Sequence, residues 1–107
     1  MRRGEVWTLR DDGYASKARP VIVIQDEDVA AFDSIILCLL TTFDSDHLET
    51  RVSIEPSSAN GLERRSYAMT DKIVTVEKGL LGQCIGRVSS EDMIRISAEL
   101  MRILGLR

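Results

Sequence analysis

Two short, unbroken apolar runs interrupt an otherwise polar sequence: Val21-Ile22-Val23-Ile24 and Ile35-Ile36-Leu37-Cys38-Leu39-Leu40. Each is too short for a buried helix. The first is built from β-branched residues and opened by Pro20, so it reads as a strand, Val21 to Gln25, buried on both faces. The second lies within a strand from Ser34 to Thr41. Around them the pattern is of further short strands joined by turns. Glu5 to Arg10 alternates about Val6 and Thr8, and Asp11 to Lys17 is a polar loop containing Gly13. Arg51 to Glu55 places Val52 and Ile54 on one face. Pro56 to Leu62 is turn-rich, with Ser57-Ser58 and Asn60-Gly61. Ser66 to Met69 and Ile73 to Val76 read as two strands, Lys78 to Gly82 as a turn or 3₁₀ piece, and Gln83 to Val88 as a last strand interrupted by Gly86.

Only the C-terminal segment has a clear helical period. Ser89 suits an N-cap with Asp92 three residues on, and Gly105 suits the stop. Met93, Ile96, Leu100, Ile103 and Leu104 fall on one face. Many short sequential strands and one terminal helix predict a mainly β chain, a strongly bent antiparallel sheet or small barrel, with the helix on the sheet or against a partner.

At 107 residues the chain predicts a single domain, 1–107. Apolar residues make up 44%, enough for a core, and a domain this small gains from dimer burial. The longest apolar run cannot span a bilayer, and no signal-peptide pattern follows Met1-Arg2-Arg3, so a soluble cytoplasmic protein without membrane contact is expected. Cys38 and Cys84 both fall in strand-like segments and are expected to be buried free thiols.

The net charge of −3 hides an uneven distribution. Residues 1–20 carry +2, residues 21–63 carry −8, residues 64–87 carry +3, and residues 88–107 balance. If the two basic blocks meet in space they make a phosphate-binding face despite the acidic total.

The residue inventory excludes several chemistries. The single histidine, His47, cannot supply both acid and base for a two-histidine ribonuclease, and no nucleophile turn accompanies it. The two cysteines are too far apart in sequence for zinc spacing. Asp26, Glu27, Asp28 and Asp33 lack the spacing of a calcium loop, and no phosphate-binding glycine fingerprint exists; Gly82-x-x-x-Gly86 reads as a turn device. No metal and no cofactor are expected. What remains at strand ends is Arg, Lys, Ser and Thr, groups able to hold a phosphodiester without a metal.

Five pieces occur in a recognisable order: Arg3-Gly4-Glu5-Val6-Trp7, Arg19-Pro20-Val21-Ile22-Val23-Ile24, Thr41-Thr42, Ser66-Tyr67-Ala68-Met69-Thr70-Asp71-Lys72-Ile73-Val74-Thr75-Val76, and Gly86-Arg87-Val88-Ser89. The sequence thereby resembles the MazF/PemK (Kid) family of toxin endoribonucleases, the mRNA interferases of type II toxin–antitoxin systems, over nearly its whole length. The resemblance implies an SH3-like small barrel with a C-terminal helix, working as a homodimer. It implies metal-independent, sequence-specific cleavage of single-stranded RNA to a 2′,3′-cyclic phosphate and a 5′-hydroxyl. It implies a cognate antitoxin whose tail covers the RNA groove, and contact with DNA only through the toxin–antitoxin complex.

By resemblance the catalytic residues are Arg19 and Thr41. A guanidinium leaving a strand mouth can bind two phosphoryl oxygens and stabilise a phosphorane, and a hydroxyl at a strand end can donate to phosphate or orient the 2′-hydroxyl. Ser16, Lys17, Thr42, Ser66, Asp71 and Lys72 are the expected RNA contacts. Ser16 stands nearest the serine that many members carry in a longer first loop, and Lys72 stands where many have Gln. Trp7 reads either as a base-stacking platform or as a core residue. The competing class is the CcdB toxins, similar in fold, which bind DNA gyrase and cut nothing. They end their last helix with an aromatic and Gly, where this chain has Ile103-Leu104-Gly105-Leu106-Arg107, and they lack the Arg-Pro pair.

Overall fold

A computed structural model describes residues 1–10 and 18–106. Six strands form one sheet: β1 (Glu5–Leu9), β2 (Arg19–Val23), β3 (Ser34–Thr41), β4 (Val52–Ile54), β5 (Ser66–Glu77) and β6 (Leu81–Arg87). Their order across the sheet is β4-β5-β3-β2-β1-β6, and every neighbouring pair is antiparallel. A 3₁₀ turn at Lys78–Leu80 joins β5 to β6, and the helix α1 (Ser90–Leu104) ends the chain. The mainly β architecture with one C-terminal helix is the expected one.

β2 is buried on both sides, as its unbroken apolar run demands. Ile22 joins Val6, Cys38, Val52, Ile54 and Ala68 in a core closed by Met93, Ile96 and Leu100 of α1. Val21 and Val23 point the other way and pack with Ile35, Leu37 and Leu81, flanked by Trp7, Leu9, Leu39, Val74 and Val76. Full burial of such a side chain stabilises the fold by about 1.5–3 kcal/mol. Trp7 is half-buried in this second core, and its indole N–H donates to Glu5 Oε1 at 3.1 Å.

The two strands expected at Ser66 to Met69 and Ile73 to Val76 are one. β5 pairs with β3 along both halves, and the register slips between Leu39↔Met69 and Cys38↔Ile73. Thr70, Asp71 and Lys72 are therefore extra residues carried as a bulge. The bulge is anchored rather than loose: Thr70 is buried and donates its hydroxyl to the Thr50 carbonyl, and Asp71 pairs with Arg51. Polar residues opposite an apolar strand are what made this stretch look like a break.

The helix starts as its sequence requires. Ser89 Oγ accepts from the Asp92 N–H at 3.1 Å, while the Asp92 carboxylate turns to Arg95 at 2.8 Å. Gly105 adopts φ +70° and stops the helix. Ile103 and Leu104, expected on the buried face, are exposed; Leu100 is the last buried residue of α1. Arg95 donates to the Ser53 carbonyl at 3.0 Å, and Arg3 reaches both the Ile24 carbonyl and Ser97 Oγ, which ties α1 to the sheet at two places.

The sheet's outer strands, β4 and β6, do not pair. The stretch from Glu55 to Leu62 bridges them: Arg87 N–H donates to the Ala59 carbonyl at 2.8 Å. The approach is close enough that a Cβ at Gly61 would overlap the Ile85 carbonyl, and one at Gly86 would overlap the Asn60 backbone. Gly86 is thus a contact point inside a strand, not the turn device expected of it. Asn60 holds the bridge. Its side-chain oxygen accepts from the N–H groups of Ser57 (3.0 Å) and Leu62 (2.9 Å), and its amide donates to the Glu55 carbonyl (2.8 Å).

Of the two cysteines, Cys38 is buried as expected, and burial pushes its thiol up to about 12. Cys84 is exposed, against expectation, since it lies on β6 at the edge of the sheet.

Candidate functional site

β2 pairs with β1 out to Arg19↔Leu9, but with β3 only as far as Val21↔Leu39. Pro20 marks the end of that second ladder, where a residue without an N–H is tolerated. Beyond it β3 runs on with β5 alone, through Leu40↔Ala68 and Thr41↔Tyr67. The two strand ends splay and leave a cleft of about 320 Å³ lined by Arg19, Pro20, Leu40, Thr41, Thr42 and Ser66. Pro20, Thr42 and Ser66 also line an adjoining cavity of about 500 Å³, whose other walls include Thr8, Gly61, Arg64 and Ile85. The two share these three wall residues and are taken together as one groove.

The structure thus brings together Arg19, Thr41, Thr42 and Ser66. Arg19 is exposed, and among the described residues its guanidinium has no hydrogen bond or ion pair. Thr41 Oγ1 accepts from the Phe43 N–H at 3.1 Å, which fixes the side chain and leaves its own proton available to donate. Ser66 is buried, and its hydroxyl donates to the Arg64 carbonyl at 3.0 Å, so it shapes the groove wall.

Behind Thr41, its ladder partner Tyr67 anchors the following loop. The phenol oxygen lies 3.1 Å from Asp44 Oδ1 and 2.9 Å from Asp46 Oδ1, and Arg65 lies 5.4 Å above the ring. Burial and the two carboxylates push the phenol up to about 12. The Asp46 N–H and the phenol hold the Asp44 carboxyl below its usual range. Arg65 also pairs with Asp46 at 3.3 Å and Glu55 at 3.0 Å.

Asp71 and Lys72 are not brought to this groove. Asp71 takes two hydrogen bonds of 3.1 Å from Arg51, and that guanidinium holds its carboxyl below the usual range. Lys72 is exposed on the same bulge. Ser16 and Lys17 lie outside the described residues. Trp7 and His47 line neither cavity. Arg64 went unmarked in the sequence because only its block charge was visible there. Its separation from Arg65, which is fully engaged, depends on the fold. No three His, Cys, Asp or Glu side chains gather to hold a metal ion among the described residues, and no described helix is long and apolar enough to cross a membrane.

A guanidinium and a fixed hydroxyl at the mouth of one open cleft form an arrangement for gripping a phosphodiester and stabilising charge that grows on it. Several known proteins are similar to this chain over nearly its whole length. A curated relative from Mycolicibacterium smegmatis, named a probable endoribonuclease MazF, is 39% identical over 99% of this chain and 98% of its own. A mycobacterial endoribonuclease solved in complex with its cognate antitoxin is 29% identical, covers 100% of this chain and 95% of its own, and superposes with a TM-score of 0.81. The Mycobacterium tuberculosis toxin MazF-mt6 shares the fold at 23% identity, TM-score 0.81, over 96% of this chain and 98% of its own. None of these favours the gyrase-binding alternative. The profile of PemK-like, MazF-like toxins of type II toxin–antitoxin systems matches residues 2–104, and the chain belongs to that family.

Proposed function

We propose that this toxin is an endoribonuclease that cuts single-stranded RNA at short sequences without a metal ion. The observation that carries the reading is the cleft where β2 and β3 part, with Arg19 and Thr41 on its walls. The ribose 2′-oxygen attacks the adjacent phosphorus, the bond from phosphorus to the 5′-oxygen breaks, and one proton passes in net from the 2′-oxygen to the 5′-oxygen. The products are a 2′,3′-cyclic phosphate and a 5′-hydroxyl. Arg19 grips two phosphoryl oxygens and strengthens its hold as the phosphorane gains charge. Thr41 donates to the phosphate or orients the 2′-hydroxyl, and Thr42 lies alongside.

Incubating the purified protein with a defined RNA in excess EDTA and mapping both ends tests the reading. Cleavage leaving a cyclic phosphate is expected. Loss of cleavage in EDTA that Mg²⁺ restores would overturn it. The same reading makes the protein a cytoplasmic homodimer held in check by a cognate antitoxin, with DNA contacted only through that complex. The mycobacterial relative solved with its antitoxin supports such a partner. Exposed Ile94, Met101 and Leu104 on α1 offer apolar surface for assembly.

A further inference from the structure

The cavity adjoining the proposed cutting site has a second cation, Arg64, among its wall residues. We propose that Arg64 anchors a phosphate flanking the one that is cut, and so sets how the RNA strand lies across Arg19 and Thr41. This rests on the ribonuclease reading of the groove.

The larger cavity shares Pro20, Thr42 and Ser66 with the Arg19 cleft and adds Arg64, which does not line that cleft, to its walls. A strand held by one phosphate in the cleft must run along this cavity or away from it, and RNA carries a charge at every nucleotide. Arg64 and Arg65 are adjacent in sequence but differ in commitment. Arg65 is taken up by Asp46, Glu55 and the Tyr67 ring. Arg64 is exposed and has no side-chain hydrogen bond or ion pair among the described residues. Its backbone is nevertheless fixed. Ser66 Oγ holds its carbonyl, and the segment before it is locked by Asn60 and pressed against Ile85. A guanidinium uncommitted among the described residues, on a fixed backbone, can bind an anion at the cost of ordering one side chain. Glu63 lines the same cavity and repels a run of phosphates, so that wall takes one phosphate and not several.

Arg64 therefore acts on binding, and Arg19 on the chemical step. The test is cleavage of one short RNA by the wild type, Arg64→Gln, Arg64→Lys and a control, Arg102→Gln. The control removes the same charge from the C-terminal end of α1, where Arg102 pairs with Glu49. Arg64→Gln should raise KM about tenfold, as expected for loss of one charged hydrogen bond, with kcat within about twofold. It should also flatten the dependence of log KM on log salt by about 0.7, the slope of one single-strand phosphate contact. Arg64→Lys should recover most of the KM and the salt slope, because a point charge still holds a phosphate. Arg102→Gln should leave both unchanged.

A methylphosphonate placed at each phosphate beside the cut in turn should weaken wild-type binding at one position, and should cost Arg64→Gln nothing further there. If the wild type cuts but Arg64→Gln keeps its KM and salt slope, the anchor is wrong and the ribonuclease reading stands. An equal rise in KM for Arg102→Gln would overturn it as well, as a bulk charge effect. If the wild type cuts no RNA, both fail.

Discussion

Arg19 owes its direction to the residue that follows it. The Pro20 ring confines the preceding backbone to extended conformations, and the ladder to β3 ends there, so Arg19 stands on the strand end that lines the cleft. Replacing it by Ala should cut single-turnover cleavage about a hundredfold to a thousandfold, the usual loss for a donor acting mainly in the transition state, with circular dichroism unchanged. Lys should rescue poorly, since it cannot span two oxygens in one plane. Thr41→Ala should cost less than Arg19→Ala, because a neutral hydroxyl makes the weaker bond. A folded Arg19→Ala protein cutting at nearly the parent rate would move the chemistry elsewhere. Arg19 and Thr41 come from the family resemblance, the apolar runs mark the strand ends on which they and Thr42 stand, and the structure places all three around one cleft. Ser66 was legible as a groove residue but not in its task, since a hydroxyl turned onto a neighbouring carbonyl looks in sequence like one turned to solvent.

Among the elements, Pro56 to Leu62 carries only turn signals in sequence, yet with Glu55 it bridges the two outer strands. Asn60→Ala should destabilise the protein by about 1–3 kcal/mol in urea titration, since the buried Leu62 N–H and two part-buried backbone groups lose their partner at once. Gly61→Ala should destabilise too, for two reasons: φ is +71° and the added carbon meets Ile85. An unchanged midpoint for either variant would mean that the bridge does not support the fold. The β5 bulge escaped the sequence reading for a related reason. Its polar residues find partners, Thr50 and Arg51, only after β4 and the preceding loop have packed beside it. That pairing predicts acid sensitivity. Arg51 holds the folded Asp71 carboxyl below its unfolded value, which is about 3.9. The folded state therefore binds this proton less readily. The stability Asp71 contributes is full above that unfolded value and is lost as pH falls through the lower folded one. Wild type should be the more stable at pH 6, and its advantage over Asp71→Asn should shrink toward pH 3. A constant gap would rule the ion pair out as its source.

For the whole molecule, the two thiols report how the sheet is layered. Cys38 sits between β2 and β5 beneath α1, whereas Cys84 sits on an outer strand. A disulfide reagent should modify one thiol per native chain quickly and the second only on unfolding; two fast thiols would mean that the core opens readily. Both cysteines look alike in sequence, because strand position within a sheet is set by which strands pair, and short apolar runs do not reveal that order. The same order makes the fold depend on distant segments. β1 lies between β2, which follows soon after it, and β6, so Glu5 must wait for Arg87 as its ladder partner. The groove likewise draws on Thr8, Pro20, Thr42, Gly61 and Ile85. During translation, then, a half-made chain holds Arg19 and Thr41 but lacks the walls that would seat a strand against them. On the function proposed here, the message and the ribosome are safe from the nascent toxin until its synthesis is nearly finished.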